Sequence, residues 1–295
     1  MRRSRGQVLA GLAGTLATVL MALWVSASYV AERVTLHPRH WGVGPTPAQL
    51  GHAYEDVSFR DHAGLTLRGW WIPGTRHQTV VMVHGWTSSR REPMSKADYL
   101  LDAGYNVLVF DLRGHGQSDG DYTTLGLLEP DDVAAAVAFA RSRDPGPIAL
   151  LGYSMGGALA VETGARDADV AAVIEDSGYG DLDNVFRAGF QRQTGLPAMP
   201  FGLPLVAIGQ LDLHVGMGTV RPVLDAARLD KPLLAIVGTA DRVVPPSEGF
   251  DLFRAAPGPK QLLVVPGAGH VDGYRVDRTR YERTVLNFLT GALGR

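Results

Sequence analysis

Three residues in the second half of this chain have side chains that together can cleave an acyl group from its carrier. Ser154 stands within IALLGYSMGG (148–157), while Asp241 and His270 each follow a later apolar run. A serine hydroxyl is a poor nucleophile at neutral pH and needs a base to take its proton. Imidazole titrates near neutral pH and can take and return that proton, and a carboxylate can orient the imidazole. These residue types make Ser154 a candidate nucleophile, His270 a candidate base and Asp241 a candidate orienting acid.

The residues around Ser154 predict a strand, a sharp turn and a helix. Four apolar residues lead into Gly152-Tyr153-Ser154-Met155-Gly156, and an alanine-rich run follows over 157–164. The pattern alone is weak, because a chain this rich in glycine contains roughly 0.2 such matches by chance. Taken alone, Ser154 could simply cap the helix, Asp241 could cap a helix that begins near Pro246, and His270 could be a turn residue.

Apolar runs alternate with helical patterns along most of the chain. The predicted strands cover 54–60, 65–72, 79–83, 106–110, 148–151, 170–175, 232–237 and 261–265, and the predicted helices cover 94–102, 131–141, 157–164, 246–255 and 277–289. Such alternation is typical of a mostly parallel sheet with helices on both faces. Ligands bind such sheets at the carboxyl ends of the strands, so the three candidate residues should meet at one edge.

The alternation breaks between residues 177 and 221. This segment has no clean strand pattern, and 196–209 is apolar but interrupted by three prolines. We expect a short cap insertion over the sheet edge. Its apolar side chains could line an acyl pocket, dip toward a bilayer or merely pack the cap onto the sheet.

The N-terminal region predicts a membrane-spanning helix. Three arginines among the first five residues precede an uncharged run over 6–31. Residues 8–30 would form a helix of about 35 Å, enough to cross a bilayer. A signal peptide is the alternative, with Val25-Ser26-Ala27 as a cleavage site. The arginines would keep the N-terminus cytoplasmic and the catalytic domain extracytoplasmic. Residues 1–31 are thus the anchor or signal segment, 32–53 a linker and 54–295 the catalytic domain.

The composition excludes several functional classes. The 295 residues include no cysteine, which rules out a thiol nucleophile, and the net charge of −2 gives no field that favours nucleic acid. No histidines and carboxylates have metal-ligand spacing, and no phosphate-binding loop is present. We therefore predict neither a metal nor another cofactor.

The strand exits carry motifs that resemble the α/β-hydrolase superfamily over residues 54–289. These motifs are HGW (84–86), DLRGHGQS (111–118), GYSMGG (152–157) and GTADRVVP (238–245). The order Ser, Asp, His along the chain is the one expected of that fold. Within the superfamily, the chain is most similar to membrane-anchored serine hydrolases related to monoacylglycerol-lipase and serine-aminopeptidase-like members.

The resemblance implies an oxyanion hole formed by the backbone N–H groups of Trp86 and Met155. Asp176 is the alternative triad acid. His84 is expected to be structural, and Asp111 and His115 are expected to brace a loop.

We expect hydrolysis of carboxylic esters, either lipids or small acyl esters, through an acyl-enzyme intermediate. A peptidase or aminopeptidase-like amidase is the alternative, with Asp181, Asp183 and Asp212 as candidates to hold a substrate amine. A catalytically silent, membrane-tethered binding module is a third interpretation. A serine acyltransferase would share the same triad. The sequence does not decide the oligomeric state.

Overall fold

Eight strands form one mixed sheet at the centre of the protein. The computed structural model describes residues 5–213 and 217–294. The strands are β1 (Glu55–Arg60), β2 (Thr66–Ile72), β3 (Thr79–Val83), β4 (Asn106–Phe110), β5 (Ile148–Tyr153), β6 (Val170–Asp176), β7 (Leu233–Gly238) and β8 (Lys260–Val265). Their spatial order is β1-β2-β4-β3-β5-β6-β7-β8. Only β1–β2 and β2–β4 pair antiparallel, so the sheet is mostly parallel as predicted.

In the described part of the chain, most helices lie between consecutive strands of the sequence. They are α1 (Arg5–Leu36), α2 (Arg91–Met94), α3 (Asp98–Asp102), α4 (Glu129–Arg143), α5 (Met155–Arg166), α6 (Leu182–Thr194), α7 (Ala198–Phe201), α8 (Leu203–Leu213), α9 (Pro222–Ala226), α10 (Pro246–Ala255), α11 (Gly273–Val276) and α12 (Arg278–Leu293). The single helix predicted over 94–102 is wrong, since α2 ends at Met94 and α3 covers only the second half of that range. The Ser95 hydroxyl donates to the Glu92 carbonyl at the end of α2, and such bonding competes with helix continuation.

Helices cover both faces of the sheet, and alternate residues of each central strand enter different cores. Val81 and Leu150 pack with residues of α4 and α5 on one face. Val80 and Leu151 pack with residues of α12 on the other face. Because both faces are covered, the central strands are apolar throughout rather than alternating, which is why they stand out in the sequence.

Helix α1 is the one helix in the described part of the chain that is long and apolar enough to cross a membrane. Its most apolar 18-residue window has a mean hydropathy of 2.1 and is wholly exposed. A signal sequence near the N-terminus would have the same properties. The helix also continues past residue 31 to Leu36, which is buried in the core of the domain.

The last turns of α1 pack against the helices that lie between β6 and β7. The Trp24 indole N–H donates to the Phe201 carbonyl at 2.9 Å. Farther along, Gly209 lies against the side chains of Glu32 and Leu36. Helices α1 and α8 therefore run parallel and in contact. Helices α6, α7 and α8 occupy the position expected for a cap.

Candidate active site

Ser154 lies at a sharp turn between β5 and α5. Its φ of 54° and ψ of −119° are a strained conformation for a non-glycine residue. The neighbouring glycines make the turn sterically feasible. A Cβ at Gly152 would lie 1.9 Å from the Gly156 carbonyl oxygen, and one at Gly156 would lie 2.3 Å from the Val83 carbonyl oxygen. The turn thus requires glycine at both positions and lifts the Ser154 hydroxyl out of the sheet.

A continuous hydrogen-bonded chain joins the three residues predicted from the sequence. Ser154 Oγ lies 2.8 Å from His270 Nε2, and His270 Nδ1 lies 2.7 Å from Asp241 Oδ2. The other carboxylate oxygen of Asp241 accepts from the backbone N–H groups of Val243 and Val244 at 2.8 and 3.0 Å. These bonds hold the Asp241 carboxylate in place. Because the carboxylate accepts the hydrogen on Nδ1, it favours the imidazole tautomer in which an unprotonated Nε2 faces the Ser154 hydroxyl.

The loop after β3 lies against Ser154. A Cβ built on Gly85 would lie 3.1 Å from the Ser154 Cβ, and the Gly85 N–H donates to Glu92 at 2.8 Å. The backbone N–H groups of Trp86 and Met155 have no acceptor among the described residues. Two amides are thus available beside the serine.

The side chain of Trp86 makes a contact that sequence reasoning missed. Its indole N–H donates to the Thr35 carbonyl in the last turn of α1 at 2.9 Å. The N-terminal helix is therefore attached directly to the loop beside Ser154. No sequence pattern could have indicated this bond, because the acceptor is a backbone carbonyl 51 residues earlier.

Asp176 lies next to the site, but its carboxylate is engaged elsewhere. It accepts from the Tyr281 hydroxyl at 2.9 Å and the Ser177 hydroxyl at 3.0 Å, and its burial raises its pKa. Ser177 Oγ in turn accepts from the N–H of Val271, the residue after His270. Asp176 and Ser177 therefore support the loop that carries His270, whereas Asp241 contacts the imidazole itself.

The two histidines near the site are buried and neutral. His84 Nε2 accepts from the Leu112 N–H at 3.0 Å, so its Nδ1–H donates to the Gly85 carbonyl, and burial lowers its pKa. Burial and the adjacent His84 lower the pKa of His115 to about 4. His84 bridges two strand-exit loops, which is a structural arrangement.

Asp111 ties the loop after β4 to the start of α2. Its carboxylate accepts from the backbone and side chain of Arg90 and from the Gln117 N–H. The Arg90 guanidinium lies 4.9 Å from the Trp70 ring centroid. This buried ion pair braces the loop beside the site.

The three acidic residues considered for holding a substrate amine have other partners. Asp181 caps α6 and pairs with Arg221, and Asp183 pairs with Arg187. The carboxylate of Asp212 lies beside His37 and Arg33, close to the end of α1.

Comparison with known proteins agrees with this architecture. A family model described as the alpha/beta hydrolase family matches residues 80–280. The chain belongs to the alpha/beta hydrolase family. Its relatives include the uncharacterized protein YqkD of Bacillus subtilis, 30% identical over 77% of this chain and 76% of that protein. Another is the uncharacterized protein YfhR of Escherichia coli K12, 28% identical over 93% and 95% of the two chains.

Two solved structures superpose on most of the chain. The Pyrococcus furiosus esterase Pf2001 is 29% identical, with a TM-score of 0.75 over 88% of this chain and 99% of that one. An esterase from Thermogutta terrifontis, 24% identical with a TM-score of 0.60 over 81% and 99% of the two chains, shares the fold.

Proposed function

We propose that the protein is a serine hydrolase that cleaves carboxylic esters through an acyl-enzyme intermediate. The observation that carries this proposal is the hydrogen-bonded chain from Ser154 through His270 to Asp241. The esterase activity named for the similar Pyrococcus furiosus protein supports the choice of substrate class.

In the acylation step, Ser154 Oγ attacks the ester carbonyl while its proton passes to His270 Nε2. The resulting imidazolium is stabilised by the Asp241 carboxylate, which already accepts the Nδ1 hydrogen. The C–O bond to the leaving alcohol then breaks, and the proton on Nε2 passes to that alcohol. Water attacks the acyl-serine by the same route in reverse, which releases the acid and restores the Ser154 hydroxyl.

The negative charge on the tetrahedral intermediate requires donors that are already in place. The N–H groups of Trp86 and Met155 are the candidates, since Trp86 follows Gly85, which lies against Ser154, and Met155 is the first residue of α5, directly after Ser154. Loss of one such donor typically costs about 3 kcal/mol of transition-state stabilisation. The donors are backbone amides, so the side chains of Trp86 and Met155 do not themselves donate to the oxyanion.

The same proposal places the active site beside a membrane. Helix α1 would cross the bilayer with its N-terminal arginines on the cytoplasmic side, so that the catalytic domain is extracytoplasmic. Apolar side chains of the cap remain exposed, among them Met199, Phe201 and Leu211, and the cap packs on α1. This arrangement favours acyl or lipid esters that reach the site from the membrane surface.

A fluorophosphonate probe tests the nucleophile, because it bonds covalently to an activated serine. We expect it to label the wild-type protein at Ser154 and to leave Ser154→Ala unlabelled. The matched control is Ser142→Ala, which removes an exposed hydroxyl on α4 and should label like wild type. Equal labelling of Ser154→Ala and wild type would overturn the proposed nucleophile.

A substrate series separates the esterase from an amidase. Esters of increasing acyl length and aminoacyl amides are compared by kcat/KM on the same preparation. Because the cap acids are engaged in ion pairs, we expect esters to be cleaved faster than amides. A steep preference for aminoacyl amides would favour a peptidase. No turnover of either class, with no probe labelling, would favour a binding module.

A further inference from the structure

A second group of side chains that can bind a cation lies where α1 meets α8. It consists of Glu32, His37 and Asp212, each of which offers one ligand atom, and these atoms all lie within 4.8 Å of one another. Glu32 lies in the last turns of α1, His37 directly follows α1, and Asp212 lies at the end of α8. The group is therefore assembled by the packing of the anchor helix on the cap.

The His37 imidazole is oriented as a metal ligand usually is. Its Nδ1 lies 2.8 Å from the Asp121 carbonyl oxygen, which can only accept a hydrogen bond. The ring hydrogen is therefore on Nδ1, and the lone pair of Nε2 faces Asp212 Oδ2 at 3.2 Å. A backbone carbonyl on one ring nitrogen commonly fixes the tautomer of a metal-binding histidine. In the neutral form, two acceptors thus face each other without a hydrogen between them.

Glu32 adds a third acceptor to the group. Glu32 is 1% exposed, and neither of its carboxylate oxygens accepts a hydrogen bond from a donor among the described residues. Burial of a charged carboxylate without a compensating partner costs roughly several kcal/mol. Such groups therefore normally bind a cation or keep a proton. The nearest fixed positive charge is Arg33, whose Nη1 lies 3.5 Å from Asp212 Oδ2 and offsets one of the two carboxylates.

We propose that Glu32, His37 and Asp212 bind one divalent transition-metal ion, with Zn²⁺ as the best fit. One imidazole nitrogen and two carboxylate oxygens are ligands that Zn²⁺ accepts at about 2.0–2.2 Å. Adjacent ligands around such an ion are about 3.3 Å apart, close to the spacing of His37 Nε2 and Asp212 Oδ2. Ca²⁺ takes six to eight oxygen ligands and Mg²⁺ prefers an oxygen octahedron, so both fit this set poorly. The ion links the anchor helix to the cap.

The ion would also influence the proposed active site through one short connection. Thr35 lies between Glu32 and His37 in the sequence, and its backbone carbonyl accepts the hydrogen bond from the Trp86 indole. Fixing this turn of α1 therefore fixes the loop beside Ser154. The binding site itself includes no residue of the Ser154–His270–Asp241 chain, so metal binding can be measured whether or not the protein is an esterase.

Titration of Zn²⁺ into the full-length, detergent-solubilised protein tests the site after removal of metal with a chelator. We expect isothermal titration calorimetry to give one bound Zn²⁺ per chain and thermal unfolding to shift upward with Zn²⁺. Asp212→Asn and His37→Ala should each weaken binding by at least about tenfold, because each removes a ligand from a small set. Glu32→Gln should do the same without altering the size of the side chain.

The matched control is His52→Ala, which removes a histidine that also lies beside one aspartate, Asp98, at 3.4 Å. This variant should bind Zn²⁺ like wild type. The proposal is overturned if the wild-type protein binds no Zn²⁺, or if the three ligand variants and His52→Ala all retain its full affinity. In the first case, the three side chains form a hydrogen-bonded contact between α1 and α8 and not a metal site.

Discussion

Two aspartates lie close to His270, and the hydrogen bonds of each carboxylate distinguish them. Asp241 contacts the imidazole and is otherwise bonded only to backbone N–H groups of its own loop. Asp176 is fully buried and bonded to two hydroxyl groups. An aspartate that orients a catalytic histidine must touch it, whereas one that supports the loop acts only through packing. Asp241 is therefore the better candidate for the triad acid.

Substitution of the two aspartates should have different effects. We expect Asp241→Asn to lower kcat about 10²–10⁴-fold, because the amide can hold the imidazole in the wrong tautomer. Asp176→Asn should lower the thermal unfolding temperature but reduce kcat less than about tenfold, since it does not touch the imidazole. Steady-state ester hydrolysis and thermal unfolding of both variants check this. A larger loss of kcat in Asp176→Asn than in Asp241→Asn would instead favour Asp176 as the acid.

Glu162 on α5 should make the free energy of unfolding depend on pH. Burial, and secondarily the charge of Asp225, raises the pKa of Glu162 to about 8. In the unfolded chain, the pKa of this carboxyl is about 4.3. The folded state therefore binds more protons than the unfolded state between these two values, and stability falls as pH rises through that window.

Glu162→Gln should remove this slope. Between pH 5 and 8, we expect wild type to lose about 1–3 kcal/mol more stability than the variant. Thermal unfolding at several pH values measures the difference. Glu55→Gln, which alters an exposed carboxylate, should keep the wild-type slope. Parallel curves for wild type and Glu162→Gln would contradict the expectation.

At the scale of elements, the last turn of α1 acts as part of the active-site framework. Thr35 binds the Trp86 indole, the Leu36 carbonyl accepts from the Thr123 N–H, and His37 contacts Asp121. These bonds reach two loops at the edge of the sheet where Ser154 lies. The helix therefore supports the site as well as extending away from it.

Trp86→Phe tests that support while keeping an aromatic ring. Loss of a hydrogen bond worth about 1 kcal/mol should lower kcat by several-fold, with little change in KM, because the amide at position 86 becomes less well placed. Trp41→Phe, at an exposed position, is the control and should leave kcat unchanged. An unchanged kcat in Trp86→Phe would show that the loop holds its position without α1.

At the scale of the whole molecule, α1 has two parts with different surroundings. The part before Trp24 is exposed along its apolar length, as expected of a segment that lies in a bilayer. The part from Trp24 to Leu36 contacts the cap and enters the core. The exposed apolar portion and the portion packed on the domain are therefore different parts of one helix.

Two truncations separate these portions. Deletion of residues 2–23 should leave the thermal unfolding temperature of the purified protein unchanged. Deletion of residues 2–36 should lower it by about 3–10 °C, because it removes the buried Leu36 side chain and the bond to Trp86. Both are measured in the same detergent. Equal unfolding temperatures would mean that α1 contributes nothing to the stability of the domain.

Most of the fold was predictable because a doubly covered parallel sheet leaves a strong pattern in the sequence. Strands β3, β4 and β5 are apolar on both faces, and their ends matched the prediction within two residues or better. The end of α1 was not predictable from hydropathy, since Glu32 and Arg33 interrupt the apolar run and yet remain helical. The contacts of its last turn with the cap supply the stabilisation that the local sequence does not.

The sequence by itself determined the fold class and the order in which Ser154, Asp241 and His270 follow successive strands. Local chemistry is sufficient for this, because strand periodicity and glycine-rich turns depend on neighbouring residues. Only the tertiary structure decided which aspartate touches the imidazole, and only it brought Glu32 and His37 to Asp212. Those contacts join residues far apart along the chain, and their distances arise from how α1, the cap and the sheet pack together.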